Sequence, residues 1–159
     1  MQTVPILTSA NAPTEGFAII GEYANPHQNN HFYICYVNKK YFVFQTLQKL
    51  KSMDLRGQVV MPIASIGWLI HTIENKFWLP PSQGGLAKNI HFVEIEVDNE
   101  RIILQRSMNA GAESEMGFSI GNKSRPSDIL PSTTQQCSIS DYLLKNFILP
   151  DLKQLAVPL

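Results

Sequence analysis

A chain of 159 residues, 44% of them hydrophobic and 16% charged, is long enough to bury a core of its own and too apolar to be disordered in bulk. Thirteen basic residues balance thirteen acidic ones, so no global field draws in nucleic acid, anionic membrane or acidic substrate, and any such partner has to read a local patch. The two cysteines, Cys35 and Cys137, form no CxxC or Cys/His spacing, which excludes a zinc-ribbon or disulfide-scaffold class.

In chain order, MQTVPILTSANAPTEG has neither the basic start nor the apolar run of a signal peptide and reads as a loose arm. GFAIIGEY, residues 16–23, reads as a leading strand. HFYICYVNKKYFVFQ, residues 31–45, alternates on both sides of Asn38-Lys39, the signature of a hairpin with strands over 31–37 and 40–47. GQVVM at 57–61 is a further extended run, after which Pro62 suits a first helical turn and Ile66, Leu69, Ile70, Ile73 and Phe77 form an apolar stripe. The uncharged run from Val59 to Ile73 is shorter than the roughly 20 residues a membrane helix needs, so the expectation is a soluble, intracellular protein with no membrane partner.

WLPPSQGGLAKN, within residues 78–89, reads as a linker. HFVEIEVDNERIILQ, residues 91–105, repeats the hairpin pattern around Asp98-Asn99, with strands over 90–97 and 100–107. GFSIG at 117–121 matches GQVVM, and the Pro/Ser-rich stretch that follows reads as a mobile insertion at 121–137. Ser138 with Asp141 three residues later is a capping start for a second helix lined by Ile139, Leu143 and Phe147, which Pro150 should kink or end.

Slid by 60 positions, the sequence places His31, Phe32, Val37 and Gln45 over His91, Phe92, Val97 and Gln105 without a gap. The expected organisation is one α+β domain over 1–159 made of two pseudo-repeats. The first is a ββββα unit over 16–77, and the second, after the linker 78–89, is a βββα unit over 90–155 carrying the insertion. Hairpin-linked strands exclude a parallel βαβ plan.

Alternation assigns faces. Tyr33, Cys35, Val37, Phe42 and Phe44 share one face of the first hairpin with turn-proximal Lys40, and Val93, Ile95, Val97, Ile102 and Leu104 share the matching face of the second with Glu100; the helices should cover both. The opposite face holds Phe32, Ile34, Tyr36, Tyr41, Val43 and Gln45 in the first copy, and Phe92, Glu94, Glu96, Arg101, Ile103 and Gln105 in the second. The first of these outer faces is too aromatic to stand in water. Two readings remain open: cover by another strand layer, a second subunit or the N-terminal arm, or use as a stacking platform for unpaired bases. From Tyr23 to Thr72 the basic residues Lys39, Lys40, Lys49, Lys51 and Arg56 face the single acid Asp54, whereas the second copy is locally acidic.

No HExxH, GxSxG, Walker or dinucleotide fingerprint occurs, and His27, His31, His71 and His91 are dispersed, so the reading is a protein with no catalytic residues, no metal ligands and no cofactor.

HFYICYVNKKYFVFQ, RGQVVMPIASIGWLIHTIENKF, HFVEIEVDNERIILQ and SISDYLLKNFI together cover most of the chain. As a duplicated pattern of antiparallel strands followed by a helix, they resemble the superfamily of single-stranded-nucleic-acid-binding transcription regulators that includes PUR repeats, Whirly proteins, the mitochondrial RNA-binding proteins of kinetoplastids and the transcriptional positive cofactors. This resemblance implies a curved sheet that binds single-stranded DNA or RNA on the face opposite the helices, in dimers or higher oligomers. On this sequence the implied contacts are Phe32, Tyr36, Tyr41 and Gln45, with Lys39, Lys49, Lys51 and Arg56 nearby and Lys123 and Arg125 as a phosphate-contacting loop. The alternative is a non-catalytic assembly module that uses the same aromatic face for a protein partner or its own copy.

Overall fold

A computed structural model describes residues 1–155; the last four residues of the expected domain, 156–159, lie outside the described residues. Eight strands form two antiparallel four-stranded sheets. The first contains β1 (Ala18–Ala24), β2 (His31–Val37), β3 (Tyr41–Lys49) and β4 (Asp54–Pro62) in sequential order. The second contains β5 (Phe92–Val97), β6 (Glu100–Ser107), β7 (Gly117–Pro126) and β8 (Thr134–Ser140), again in sequential order. Helix α1 (Ser65–Thr72) follows the first sheet, and α2 (Asp141–Leu143) and α3 (Leu149–Leu155) follow the second. No helix of the described residues is long and apolar enough to cross a membrane.

The hairpins form where turn chemistry places them. Asp98 and Asn99 hold φ of 51° and 65°, the left-handed pair that a two-residue type I′ turn requires, and Val97 faces Glu100 as expected. In the first hairpin the turn falls on Lys39-Lys40, one position later than Asn38-Lys39, because the Asn38 side chain accepts from the amides of Lys40 and Tyr41 at 2.8 and 2.6 Å. Val37 therefore faces Phe42. That register differs from the expected one by two residues, an even slip, so the face assignment survives.

The second copy has four strands, not three. TQQCSIS forms β8, and only residues 127–133 of the expected insertion 121–137 are loop. The offset of 60 consequently overlays the central hairpin of the first sheet, β2–β3, on the leading hairpin of the second, β5–β6. The structural repeat is ββββα against ββββα, and the sequence match lies one strand out of it.

Both helical segments contain a wide π turn, Ile73–Phe77 after α1 and Leu144–Ile148 between α2 and α3. Pro62 ends β4 instead of opening the helix, and its carbonyl accepts from Ser65 Oγ at 2.7 Å. The cap of the second helix is Ser140, whose Oγ accepts from the Leu143 amide at 3.2 Å; Ser138 and Ile139 belong to β8. Phe147 is exposed, since the π turn rotates the face that follows it, and Leu144, Ile148, Leu149 and Leu152 enter the core instead.

One core joins the two halves. Tyr33, Cys35, Phe42, Phe44, Val59 and Met61 of the first sheet pack with Ile102, Leu104, Phe118, Ile120, Cys137 and Ile139 of the second, with α1, α2 and α3 completing the cluster. The sheets meet at β4, an edge strand with free backbone groups. The Val60 amide donates to Gln135 Oε1 at 2.8 Å, and the Val60 carbonyl accepts from Asn122 Nδ2 at 2.7 Å. Two amide side chains thus cap an edge that would otherwise template pairing with another chain.

Candidate nucleic-acid interface

A second, separate cluster lies on the outer face of the first sheet. Ile34, Tyr36, Tyr41, Val43, Leu47 and Val60 are covered there by Val4, Leu7, Ala12 and Phe17, so the N-terminal segment is a docked cover and not a loose arm. Tyr36 and Gln45 are fully buried and Tyr41 is 4% exposed. None of the three presents a face to a base, and the stacking platform expected on them is closed.

Gln45 and Gln58 hold the cover through its main chain. Gln45 Nε2 donates to the Leu7 carbonyl at 2.8 Å, Gln58 Oε1 accepts from the Leu7 amide at 3.1 Å, and Gln58 Nε2 donates to the Pro5 carbonyl at 2.8 Å. Arg56 Nη1 and the Tyr36 hydroxyl both donate to Gln45 Oε1, at 2.8 and 3.2 Å, orienting the amide toward the arm. Burial raises the pKa of the Tyr36 hydroxyl. Arg56 is thereby committed to the dock.

The remaining expected contacts scatter. Lys39 and Lys51 are exposed on separate turns, and Lys49 lies 5.0 Å above the half-buried Phe32 ring. Lys123 pairs with Glu94 at 2.7 Å, an interaction that holds the Glu94 carboxyl below its usual pKa. Arg125 is 5% exposed, not a loop contact. Its guanidinium bonds Glu100 at 2.6 Å, donates to the Gln2 carbonyl at 2.7 Å and lies 5.1 Å from the Tyr41 ring centroid.

A different surface brings aromatic and basic groups together. The stretch read as a linker folds back on the end of the first helical segment: the Leu86 amide donates to the Lys76 carbonyl at 2.9 Å. The reversal needs Gly84, with φ of 95°, and Gly85, where a Cβ would collide with the Leu79 carbonyl. The fold encloses a groove of about 390 Å³ lined by Lys76, Phe77, Trp78, Lys88, His91 and Arg106. A second hollow of about 380 Å³ shares Phe77, Trp78 and Arg106 and adds Asp141 and Lys145.

No protein-family model, no curated protein and no solved structure matches this chain. Its chemistry therefore rests on the groove's own geometry. Arg106 grips both oxygens of Asp141 at 2.7 Å, donates to the Gly117 carbonyl at 3.0 Å and stacks 4.5 Å from the Phe118 centroid. Trp78 Nε1 donates to Asp141 Oδ1 at 3.1 Å, which fixes the indole against the same cluster. Asp141, the one carboxylate lining either hollow, is thus neutralised, while Lys76, Lys88 and Lys145 are exposed and make no ion pair among the described residues. The surface offers half-buried aromatic rings beside uncompensated ammonium groups.

Sequence reading missed this site because its cations are single residues, at 76, 88 and 145, far apart in the chain. WLPPSQGG carried the usable signal: a tryptophan beside Pro-Pro and Gly-Gly marks a built turn more than a flexible tether.

Proposed function

We propose that the protein binds single-stranded nucleic acid through the groove between the linker, the first helical segment and β6. The observation that carries this reading is that Phe77 and Trp78 line both hollows, the first with Lys76 and Lys88 and the second with Lys145 and with Asp141, a carboxylate already neutralised by Arg106. Aromatic rings accept any base through its π-face, and lysines that carry no counter-ion release phosphate counterions on contact. A neutral chain needs such a local concentration of positive charge to attract a polyanion.

The test is fluorescence anisotropy of a labelled mixed-sequence single strand at low and moderate salt, with duplex as competitor. Binding should weaken as salt rises and prefer the single strand. The exposed double variant Lys88→Glu/Lys145→Glu should lose about 10-fold or more at low salt and flatten the salt slope by about 0.7 for each phosphate contact removed. Absence of binding by the unaltered protein at low salt, or an unchanged slope in the variant, removes the groove from consideration.

A second reading has its own observation. Tyr142 and Phe147 are 49% and 44% exposed, form an edge-on pair 5.9 Å apart and flank a hollow of about 320 Å³ with Tyr23, Pro26 and Leu143. Exposed aromatics beside a single charge, Glu22 at the rim of the hollow, favour a protein-assembly surface. Its signature is salt-insensitive self-association by light scattering that Phe147→Ser abolishes.

A further inference from the structure

One hollow on the surface is lined by aromatic rings and by no cation. Tyr23, Tyr142 and Phe147 border about 320 Å³ together with Ala24, Pro26 and Leu143, and the single charge on its wall is the carboxylate of Glu22. The Tyr142 and Phe147 rings stand at 71° to each other with centroids 5.9 Å apart, so they form a corner. Tyr23 supplies a third ring, held in place by its hydroxyl, which donates to Asp151 Oδ2 at 2.7 Å. Glu22 is exposed and makes no ion pair among the described residues. Ring faces carry negative potential, and an uncompensated carboxylate beside them adds to it. With no lysine, arginine or histidine on its wall, the hollow selects a cation. Its apolar rings favour a weakly hydrated one, because a bare ammonium loses more on leaving water.

We propose that this hollow binds the trimethylammonium group of a methylated lysine carried by an extended segment of a partner protein. Tyr142 and Phe147 are half exposed, so the hollow is open to the surface and admits a group on a stem. Glu22, Tyr23 and Ala24 belong to β1, the outer strand of the first sheet, whose one ladder is with β2. The other edge of β1 has no backbone partner among the described residues, and it gives the backbone that carries the lysine a strand to pair with. The proposal rests on the reading of Tyr142 and Phe147 as a protein-contact surface, and it replaces self-association there by a partner of stated chemistry. It is independent of the nucleic-acid groove, which shares no residue with the hollow.

The experiment titrates the full chain into fluorescent threonine-rich peptides that differ only at a central position, which holds trimethyl-lysine, lysine or the neutral tert-butyl isostere of trimethyl-lysine. Free choline is titrated beside them, and light scattering follows the same samples. Expected are saturable binding of the trimethyl-lysine peptide and binding weaker by about 10-fold for each of the other two. Phe147→Ala should lose a similar factor with an unchanged circular dichroism spectrum, and Glu22→Gln about 2- to 5-fold. Equal binding of the tert-butyl peptide shows an apolar hollow and overturns the cation site, as does absence of binding by all three peptides. Choline that binds as tightly as the trimethyl-lysine peptide overturns the partner segment as carrier of the group. Self-association that Phe147→Ala abolishes and excess peptide leaves intact means that a second copy fills the hollow, and it too overturns the site.

Discussion

Buried polar side chains carry most of the specificity in this molecule. Glu100 and Arg125 are 3% and 5% exposed and bridge the second sheet to the arm, with Asn122 Nδ2 bonded to the same carboxylate at 2.9 Å. Removing one partner of such a pair leaves a buried charge alone, so Glu100→Ala should cost about 3–5 kcal/mol in chemical denaturation. A loss below about 1 kcal/mol would mean that Arg125 swings to solvent. His31 links two loops through Asn25, whose Nδ2 bonds His31 Nδ1 at 3.0 Å and the Gly111 carbonyl at 2.9 Å. Nδ1 must accept, so the ring has to be neutral there. Burial lowers the His31 pKa below 6.5. The unfolded chain then binds the proton first, and this contribution to stability is full above pH 6.5 and is lost as pH falls from there to the lowered folded value. His31→Gln should flatten that part of a thermal-stability profile against pH, and an unaltered profile would sink the assignment. Sequence singled out Gln45 and Arg125 as polar residues of interest, but their partners Leu7 and Gln2 lie 38 and 123 residues away. Spacing along the chain carries no trace of such contacts.

Elements were legible wherever one local rule sufficed. Both hairpins, the leading strand at 16–23 and the stripe of Ile66, Leu69, Ile70, Ile73 and Phe77 follow from period-2 and helical alternation; Ile66, Leu69 and Ile73 are buried, and Ile70 and Phe77 are half-buried against the same core. Rules failed where two signals competed. Pro131 and the serines around it outweigh the short alternation of TQQCSIS, whose Gln135 and Cys137 point inward, so 134–137 reads as insertion and Ser138 as a helix start where the structure has β8. Pro150 sits at the second position of α3, directly after the π turn Leu144–Ile148, where the Leu149 amide reaches back to the Leu144 carbonyl. The wide turn resets the helix, and Pro150 occupies the equivalent of a first-turn site, where a missing amide and a fixed φ are tolerated. Pro150→Ala should therefore change stability by less than about 1 kcal/mol, against the roughly 3 kcal/mol gained where a proline strains a helix interior. Circular dichroism melts of the two proteins decide between these values.

At the scale of the molecule, the core shared by both sheets makes the halves one cooperative unit. Cys35 and Cys137 belong to different repeats, yet both are buried in that cluster, Cys35 completely, and burial pushes both thiols up in pKa. Thiolate is the reactive form, so the two should react with a thiol reagent at one common rate equal to global unfolding. A faster phase for either cysteine would show that one sheet opens alone. The sequence by itself determined the α+β class, the antiparallel hairpins and which face of each meets the helices, because these depend on alternation and turn residues within a dozen positions. Only the tertiary structure decided that the aromatic face of the first sheet is occupied by the chain's own arm, that the repeat is four strands against four, and that Lys76 and Lys88 on one side and Lys145 on the other line adjoining hollows that share Trp78. The reason is common to all three: each is a juxtaposition of segments distant along the chain, set by which surfaces the shared core leaves free to meet.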